Sequence, residues 1–187
     1  CVGKKSGHVI YGAFARRWQK ISNHLGRETV DFTVPDGEIP DLSLAQFADD
    51  VEMIAFTHNE TSTGGMLPFE DVSAFSKRFP NALIGIDIVS SVPYVAVDWS
   101  AVDLTLFSVQ KGFGLPSGLG VLVVSPRAYQ KALELVKTQS IGSYRAFPEM
   151  KKYADKFQIN ETPNMFNMFL LSRVVDDIIA LGIDKVR

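Results

Sequence analysis

Four short apolar runs constrain this chain more than any other feature of its sequence: MIAFTH (53–58), ALIGIDIV (82–89), DLTLFSV (103–109) and GVLVVS (120–125). Each has the length of a strand and little of the polar–apolar alternation that a strand with one wet face requires. A helical stretch separates the first two and another follows the last. FEDVSAFSKRFP reads as a helix closed by Pro80, and PRAYQKALELVK as a helix with Pro126 at its first position. Continuous apolar strands alternating with helices predict an α/β fold, a three-layer α/β/α arrangement in which a mostly parallel, mixed sheet is covered on both faces.

The flanking segments extend this pattern. In YGAFARRWQKISNHLG the residues Phe14, Trp18, Ile21 and Leu25 fall at spacings of four, three and four, predicting an apolar helical stripe that stops at Gly26. TVDFTV reads as a strand and PDGEIPD as a turn, after which Asp41 is expected to cap a helix carrying Leu42, Leu44, Phe47 and Val51. The tail FNMFLLSRVVDDIIALGIDKVR, ending at Arg187, reads as a helix with ordinary apolar packing.

At 187 residues, 46% of them hydrophobic, the chain suffices for one domain with a sizeable core. A net charge of −2 offers no electrostatic attraction for nucleic acid or an anionic membrane, and no apolar run reaches the roughly 20 residues of a membrane helix. The single cysteine, Cys1, has no internal disulfide partner, so the expected compartment is a reducing cytoplasm. Beginning at Cys1 and ending inside a helical pattern, residues 1–187 are expected to be a fragment of a longer protein.

Polar residues fall where the strands end. Thr61 follows the first apolar run, Asp87 closes the second, and Lys111 follows the third, in TLFSVQKGFGLPSGLG. Residues just beyond the carboxyl ends of strands in an open α/β sheet converge on one crevice, where ligands bind. Lys111 is either a lysine reaching to water from a strand end or an amine used as a nucleophile, which requires desolvation or nearby cations. Asp87 is either a strand-end turn cap or a carboxylate held for a cationic partner. The hydroxyls of Thr61, Ser62 and Thr63 suit an oxyanion or a phosphate, and they also suit an ordinary loop. GFGLPSGLG does not match the G-x-G-x-x-G dinucleotide pattern. His8, His24 and His58 lack metal-ligand spacing, so no metal site is expected, and Tyr153 and Lys156 fall one residue short of a Tyr-x-x-x-Lys pair.

The ordered set YGAFARRW, HNETSTGG, IDIVSSVPYVAVDWSAVDLTLFSVQKGFGLPSGLGVLVVS and NETPNMF resembles the class V aminotransferases of the fold type I pyridoxal-phosphate superfamily, most closely the phosphoserine aminotransferase branch. The match runs from about Tyr11 to Leu171. The resemblance implies that Lys111 links to the aldehyde of pyridoxal 5'-phosphate and that Asp87 pairs with its pyridine nitrogen. It further implies that Thr61 bonds the phenolic oxygen, that Phe14 stacks on the ring, and that Ser90 and Gln110 lie on the phosphate side. Phe14 as a plain core residue of its helix remains the alternative. A Thr-Pro pair that reaches a second subunit's cofactor in this family corresponds to Thr162 and Pro163, which implies a homodimer. The implied activity is amino transfer from glutamate to a keto acid, 3-phosphohydroxypyruvate for the best match. An alanine–glyoxylate or serine–pyruvate aminotransferase, or a non-catalytic domain retaining the fold, are the alternatives. The family's upstream phosphate loop and its C-terminal small domain have no counterpart here, and no arginine among Arg16, Arg17, Arg127, Arg145 and Arg173 is assignable to the substrate carboxylate, though Arg145 is singled out.

Overall fold

The computed structural model describes residues 1–140 and 142–186, so Arg187 lies outside the described residues. Six strands form one sheet: β1 (Lys5–Ile10), β2 (Glu28–Thr33), β3 (Met53–Thr57), β6 (Leu83–Asp87), β7 (Leu104–Ser108) and β8 (Gly120–Val124). Their order is β2-β1-β3-β6-β7-β8, and every neighbouring pair is parallel except β7 with β8. A two-stranded hairpin of β4 (Asn59–Glu60) and β5 (Gly65–Met66) stands beyond the end of β3. The expected mixed, mostly parallel sheet is present.

Alternation along the central strands divides the core between two faces. Ile54, Phe56, Ile84 and Ile86 pack with Val72 and Phe75 of helix α2 (Phe69–Arg78). Met53, Ala55, Leu83 and Leu104 face the other way, against Trp18 of helix α1 (Ala13–His24) and Ala128 of helix α3 (Pro126–Leu135). The sheet is therefore clad on both sides, which is why its central strands read as unbroken apolar runs. Ser125 caps α3 by accepting from the Ala128 N–H, with Pro126 in the first turn as expected.

Asp103, buried just before β7, ties the amino ends of the strands together. It accepts from the Ile84 N–H at 2.9 Å, from Ser125 Oγ at 2.7 Å and from the Arg127 guanidinium. Arg127 also donates to the carbonyls of Pro80 and Ala82. This arginine is thus committed to the edge of the sheet opposite Asp87.

Three sequence expectations are corrected. No helix forms after Asp41: its carboxylate accepts from Ser43 N and Oγ in a local turn. Leu42, Ala45, Phe47 and Val51 are still buried, but the freed carbonyls of Leu42 and Ala45 are bonded by the Arg78 guanidinium, so the segment needs no helix to satisfy its backbone. In α1 only Trp18 of the predicted stripe faces the sheet. Ala15 and Ser22 are buried with Trp18 between them, whereas Phe14, Ile21 and Leu25 are exposed, because small side chains let the helix lie close to the strands. Gly26 follows this helix with φ of 71°, as its place after the last turn requires. The tail forms helix α5 (Met165–Leu181), which breaks at Gly182 before the short α6 (Ile183–Val186). Only Asn167 of α5 is buried, and Phe166, Phe169, Ile179 and Leu181 are exposed, so ordinary core packing is not what this helix does within the chain. Strand β1 and helix α4 (Phe147–Ala154) were not anticipated; β1 opens with the polar run Lys5-Ser6-Gly7-His8, and α4 is short with no buried residue. No helix among the described residues is long and apolar enough to cross a membrane.

His8, buried in β1, has Nε2 2.9 Å from Ser6 Oγ and no partner for Nδ1, and burial depresses its pKa to about 4. The fold therefore holds the neutral ring, and the stability this represents is present above the ordinary imidazole pKa and lost as pH falls toward about 4. Urea unfolding should show a loss of about 2 kcal/mol between pH 7 and pH 5 attributable to this group, and His8→Gln should flatten that limb. An unchanged slope in the variant would show that His8 is not its source.

Candidate functional site

The carboxyl ends of β1, β3, β6 and β7 open on one side of the sheet, around the point where the strand order reverses between β1 and β3. Asp87 ends β6, in register with Thr57 of β3 and Leu106 of β7. Lys111 lies three residues beyond β7, Thr61 follows β4, and Phe14 sits in the first turn of α1.

These residues meet. Lys111 Nζ donates to Thr61 Oγ1 at 3.1 Å and stands 5.3 Å from the centre of the Phe14 ring. Thr61 in turn donates to Ser90 Oγ at 3.1 Å, and Ser90 donates to the carbonyl of Asn59 at 2.8 Å while accepting from Asn59 Nδ2 at 3.1 Å. A directed chain of hydroxyls thus runs from the amine to the base of the hairpin. The Tyr94 hydroxyl donates to the Ser90 carbonyl from the other side. Lys111 itself is exposed, which corrects the expectation of a desolvated amine: it reaches across the mouth of the crevice rather than into a dry pocket.

Asp87 has the opposite environment. Its Oδ1 accepts from the Val89 N–H at 2.8 Å, and burial raises its pKa above the usual carboxylate range. The Val89 bond and the positive charge of Lys111 act against that rise, and the charge of Glu60 adds to it. Among the described residues Asp87 and Lys111 form no ion pair, yet Asp87 senses the amine.

These residue types can be compared with what pyridoxal phosphate needs. Its aldehyde and its ring nitrogen stand at opposite ends of a flat ring, with the phenolic oxygen beside the aldehyde. An amine bonded to a hydroxyl, an aromatic ring beside it and a buried carboxylate that feels the amine's charge are residue types suited to that ring. Glycine at 112 is fixed by the same packing: a Cβ there would lie 1.9 Å from the carbonyl oxygen of Val92. The turn after Lys111 is therefore kept clear of the neighbouring backbone. Gly114 and Gly118 adopt positive φ in the same loop. Asn167 of α5 then closes it by donating to the carbonyls of Pro116 and Ser117.

Gln110 and Thr162 are exposed, and among the described residues neither hydrogen-bonds to the Lys111 group. Arg16 pairs with Asp36 and Arg173 with Asp176, while Arg145 is exposed in the loop before α4. Two residues escaped sequence reasoning. Asn59 holds Ser90, and Glu60 is a fully buried carboxylate that accepts from the backbone of α1. A signal existed for Glu60: the helix that starts after Gly12 has no capping side chain of its own.

Residues 9–187 match the sequence profile of the family described as Aminotransferase class-V. The chain superposes on a crystal structure of a phosphoserine aminotransferase from Cytophaga hutchinsonii with a TM-score of 0.96 and 41% identity, over 98% of this chain and 51% of that one. It is 29% identical to an uncharacterized aminotransferase of Methanocaldococcus jannaschii, over 98% of this chain and 49% of that protein. It is 32% identical to a phosphoserine aminotransferase of Corynebacterium glutamicum, over 70% of this chain and 33% of that protein. The chain thus spans about half the length of the first two relatives and a third of the last. Class-V aminotransferases depend on pyridoxal phosphate, and with residues 9–187 matched, the chain belongs to the class-V aminotransferase family.

Proposed function

We propose that this chain is the cofactor-binding part of an aminotransferase that moves an amino group from glutamate to 3-phosphohydroxypyruvate, the reaction of a phosphoserine aminotransferase. The observation that carries the reading is the meeting of Lys111 with Thr61 and Phe14, close enough to the buried Asp87 for its carboxyl to feel the amine's charge. The choice of acceptor is supported by the 41% identity to the Cytophaga hutchinsonii phosphoserine aminotransferase.

In this reading pyridoxal phosphate, when bound, supplies an aldehyde to take the amino group and an electron sink for the charge left on the substrate α-carbon. Asp87, as the ionised carboxylate, holds the protonated ring nitrogen; the burial that raises its proton affinity also leaves it strongly attracted to a cation placed beside it. Thr61, whose hydroxyl proton goes to Ser90 in the chain alone, would turn that proton to the phenolic oxygen when the cofactor is bound. Phe14 covers one face of the ring. Lys111 Nζ accepts the proton leaving the α-carbon of the amino donor and returns it to the carbon that completes the transfer. Gln110, at the turn before Lys111, faces the phosphate. Thr162, exposed and without an intrachain bond to this group, is contributed to the phosphate of a second copy, which makes the working unit a homodimer.

Two measurements on the chain at its natural length test the reading. Glutamate with a panel of keto acids should give fastest turnover with 3-phosphohydroxypyruvate. Preference for glyoxylate or pyruvate would move the assignment to the alanine–glyoxylate or serine–pyruvate type, and no turnover with any acceptor would leave a non-catalytic domain. Borohydride should fix the cofactor on Lys111, and Lys111→Ala should lower turnover by about a thousandfold or more.

A third measurement concerns Asp87. Its folded pKa is raised, so the stability it lends is complete below the unfolded value and is lost as pH rises through the folded value. Asp87→Asn keeps an acceptor for the Val89 N–H and cannot ionise. Without cofactor at neutral pH, the variant should melt higher than wild type, and the gain should vanish in acid. Saturating pyridoxal phosphate should stabilise wild type by about 2.7 kcal/mol at a hundredfold excess over Kd and the variant by far less. Equal stabilisation of both would remove Asp87 from the site.

A further inference from the structure

We infer that Glu60 is a positioning residue that acts through Phe14: a buried carboxylate clasps the first turn of α1 and so fixes the aromatic ring against Lys111. The inference rests on the reading of Lys111 and Phe14 given above and assigns the part of the structure that sets their distance.

The clasp is built from both ends. Glu60 is fully buried in the hairpin, and its Oε2 accepts from the N–H groups of Phe14 at 3.1 Å and Ala15 at 3.0 Å. Its Oε1 accepts from Ser62 Oγ at 2.6 Å and Ser62 N at 3.2 Å, and the Phe14 N–H lies 3.3 Å from this second oxygen. The same Ser62 hydroxyl accepts from the Ala13 N–H at 2.9 Å. The free N–H groups of the first turn of α1 thus end on Glu60 and Ser62, some 46 residues later in the chain, and no residue of α1's own first turn is acidic.

A helix start ordinarily takes its cap from the residue before it. Here that residue is Gly12, and a Cβ on it would lie 2.2 Å from Glu60 Cγ, so glycine is what allows the carboxylate to come this close. A buried carboxylate without partners is strongly disfavoured, whereas four N–H and O–H donors and the positive end of a helix stabilise it. The residue after Glu60 is Thr61, which bonds Lys111, and the residue whose N–H Glu60 holds is Phe14, whose ring faces Lys111. One side chain therefore sets the position of the ring and, through the hairpin, of the hydroxyl that meets the same amine.

The test reads Lys111 directly in cofactor-free protein of natural length, as the rate at which a small acid anhydride acylates its amine, followed by peptide mass. Phe14→Ala should change that rate about threefold, the size of a partly exposed cation–ring contact. Glu60→Gln should change it in the same direction, because the amide presents N–H groups to N–H donors and releases the turn. In the Phe14→Ala background, Glu60→Gln should add nothing further. Val72→Ala, which destabilises the core at α2, should leave the rate alone at a comparable drop in Tm. Should Glu60→Gln fail to fold, Ser62→Ala removes the bridging hydroxyl and is expected to give the same signature. A labelling rate untouched by Glu60→Gln or Ser62→Ala, or an effect that adds fully to that of Phe14→Ala, overturns the inference. With pyridoxal phosphate added, the affinity read from its absorbance should fall about tenfold in Glu60→Gln, as expected of a misplaced ring-facing group. If wild type takes up no pyridoxal phosphate, the proposed function fails while the labelling experiment still decides the role of Glu60.

Discussion

Burial of the sheet on both faces is the constraint from which the rest follows. With α2 on one side and α1 and α3 on the other, the central strands have no wet face, so side chains of Ile54, Phe56, Ile84 and Ile86 oppose those of Met53, Ala55, Leu83 and Leu104. Charged groups are then admitted only where the strands stop. Asp103 and Arg127 occupy the amino-end edge, knitted into backbone amides and carbonyls. Asp87, Thr61 and Lys111 occupy the carboxyl-end edge, where parallel strands leave N–H groups and helix starts facing a shared opening.

The two edges use charge in different ways. Asp103 is saturated: the Ile84 N–H, Ser125 and Arg127 hold its carboxyl below the usual carboxylate range against the burial that would raise it. Asp87 receives one backbone bond and a distant cation, and burial prevails. The first arrangement stabilises a fold. The second leaves unmet demand for a positive partner, which is the expected condition of a carboxylate kept for a ligand. Glu60 lies between these cases, since it is as buried as any group in the chain but fully bonded, and its partners are the backbone of the helix that carries Phe14.

Much of this was legible in the chain itself. The four apolar runs marked β3, β6, β7 and β8, and the resemblance of their flanking motifs led to Phe14, Thr61, Asp87 and Lys111, which the fold brings together. Where the reading failed, a non-local partner was responsible. The segment after Asp41 has helical spacing but is tied down by Arg78, 36 residues away from Leu42. The stripe in α1 has helical spacing too, yet of its members only Trp18 meets the sheet, beside the small side chains of Ala15 and Ser22. Strand β1 was hidden by Ser6 and His8, polar residues that a buried strand tolerates because they bond each other.

What the sequence determined by itself is the alternation of strand and helix and the identity of the reactive groups, since both depend on local period and on residue chemistry. What only the tertiary structure decided is distance: that Lys111 meets Thr61 but not Asp87, that Ser90 turns its hydroxyl toward Thr61, and that Glu60 caps a helix begun at Gly12. These are contacts between residues tens of positions apart. They are set by how α1 and the hairpin pack over the ends of the strands, and no spacing within a single segment encodes that packing.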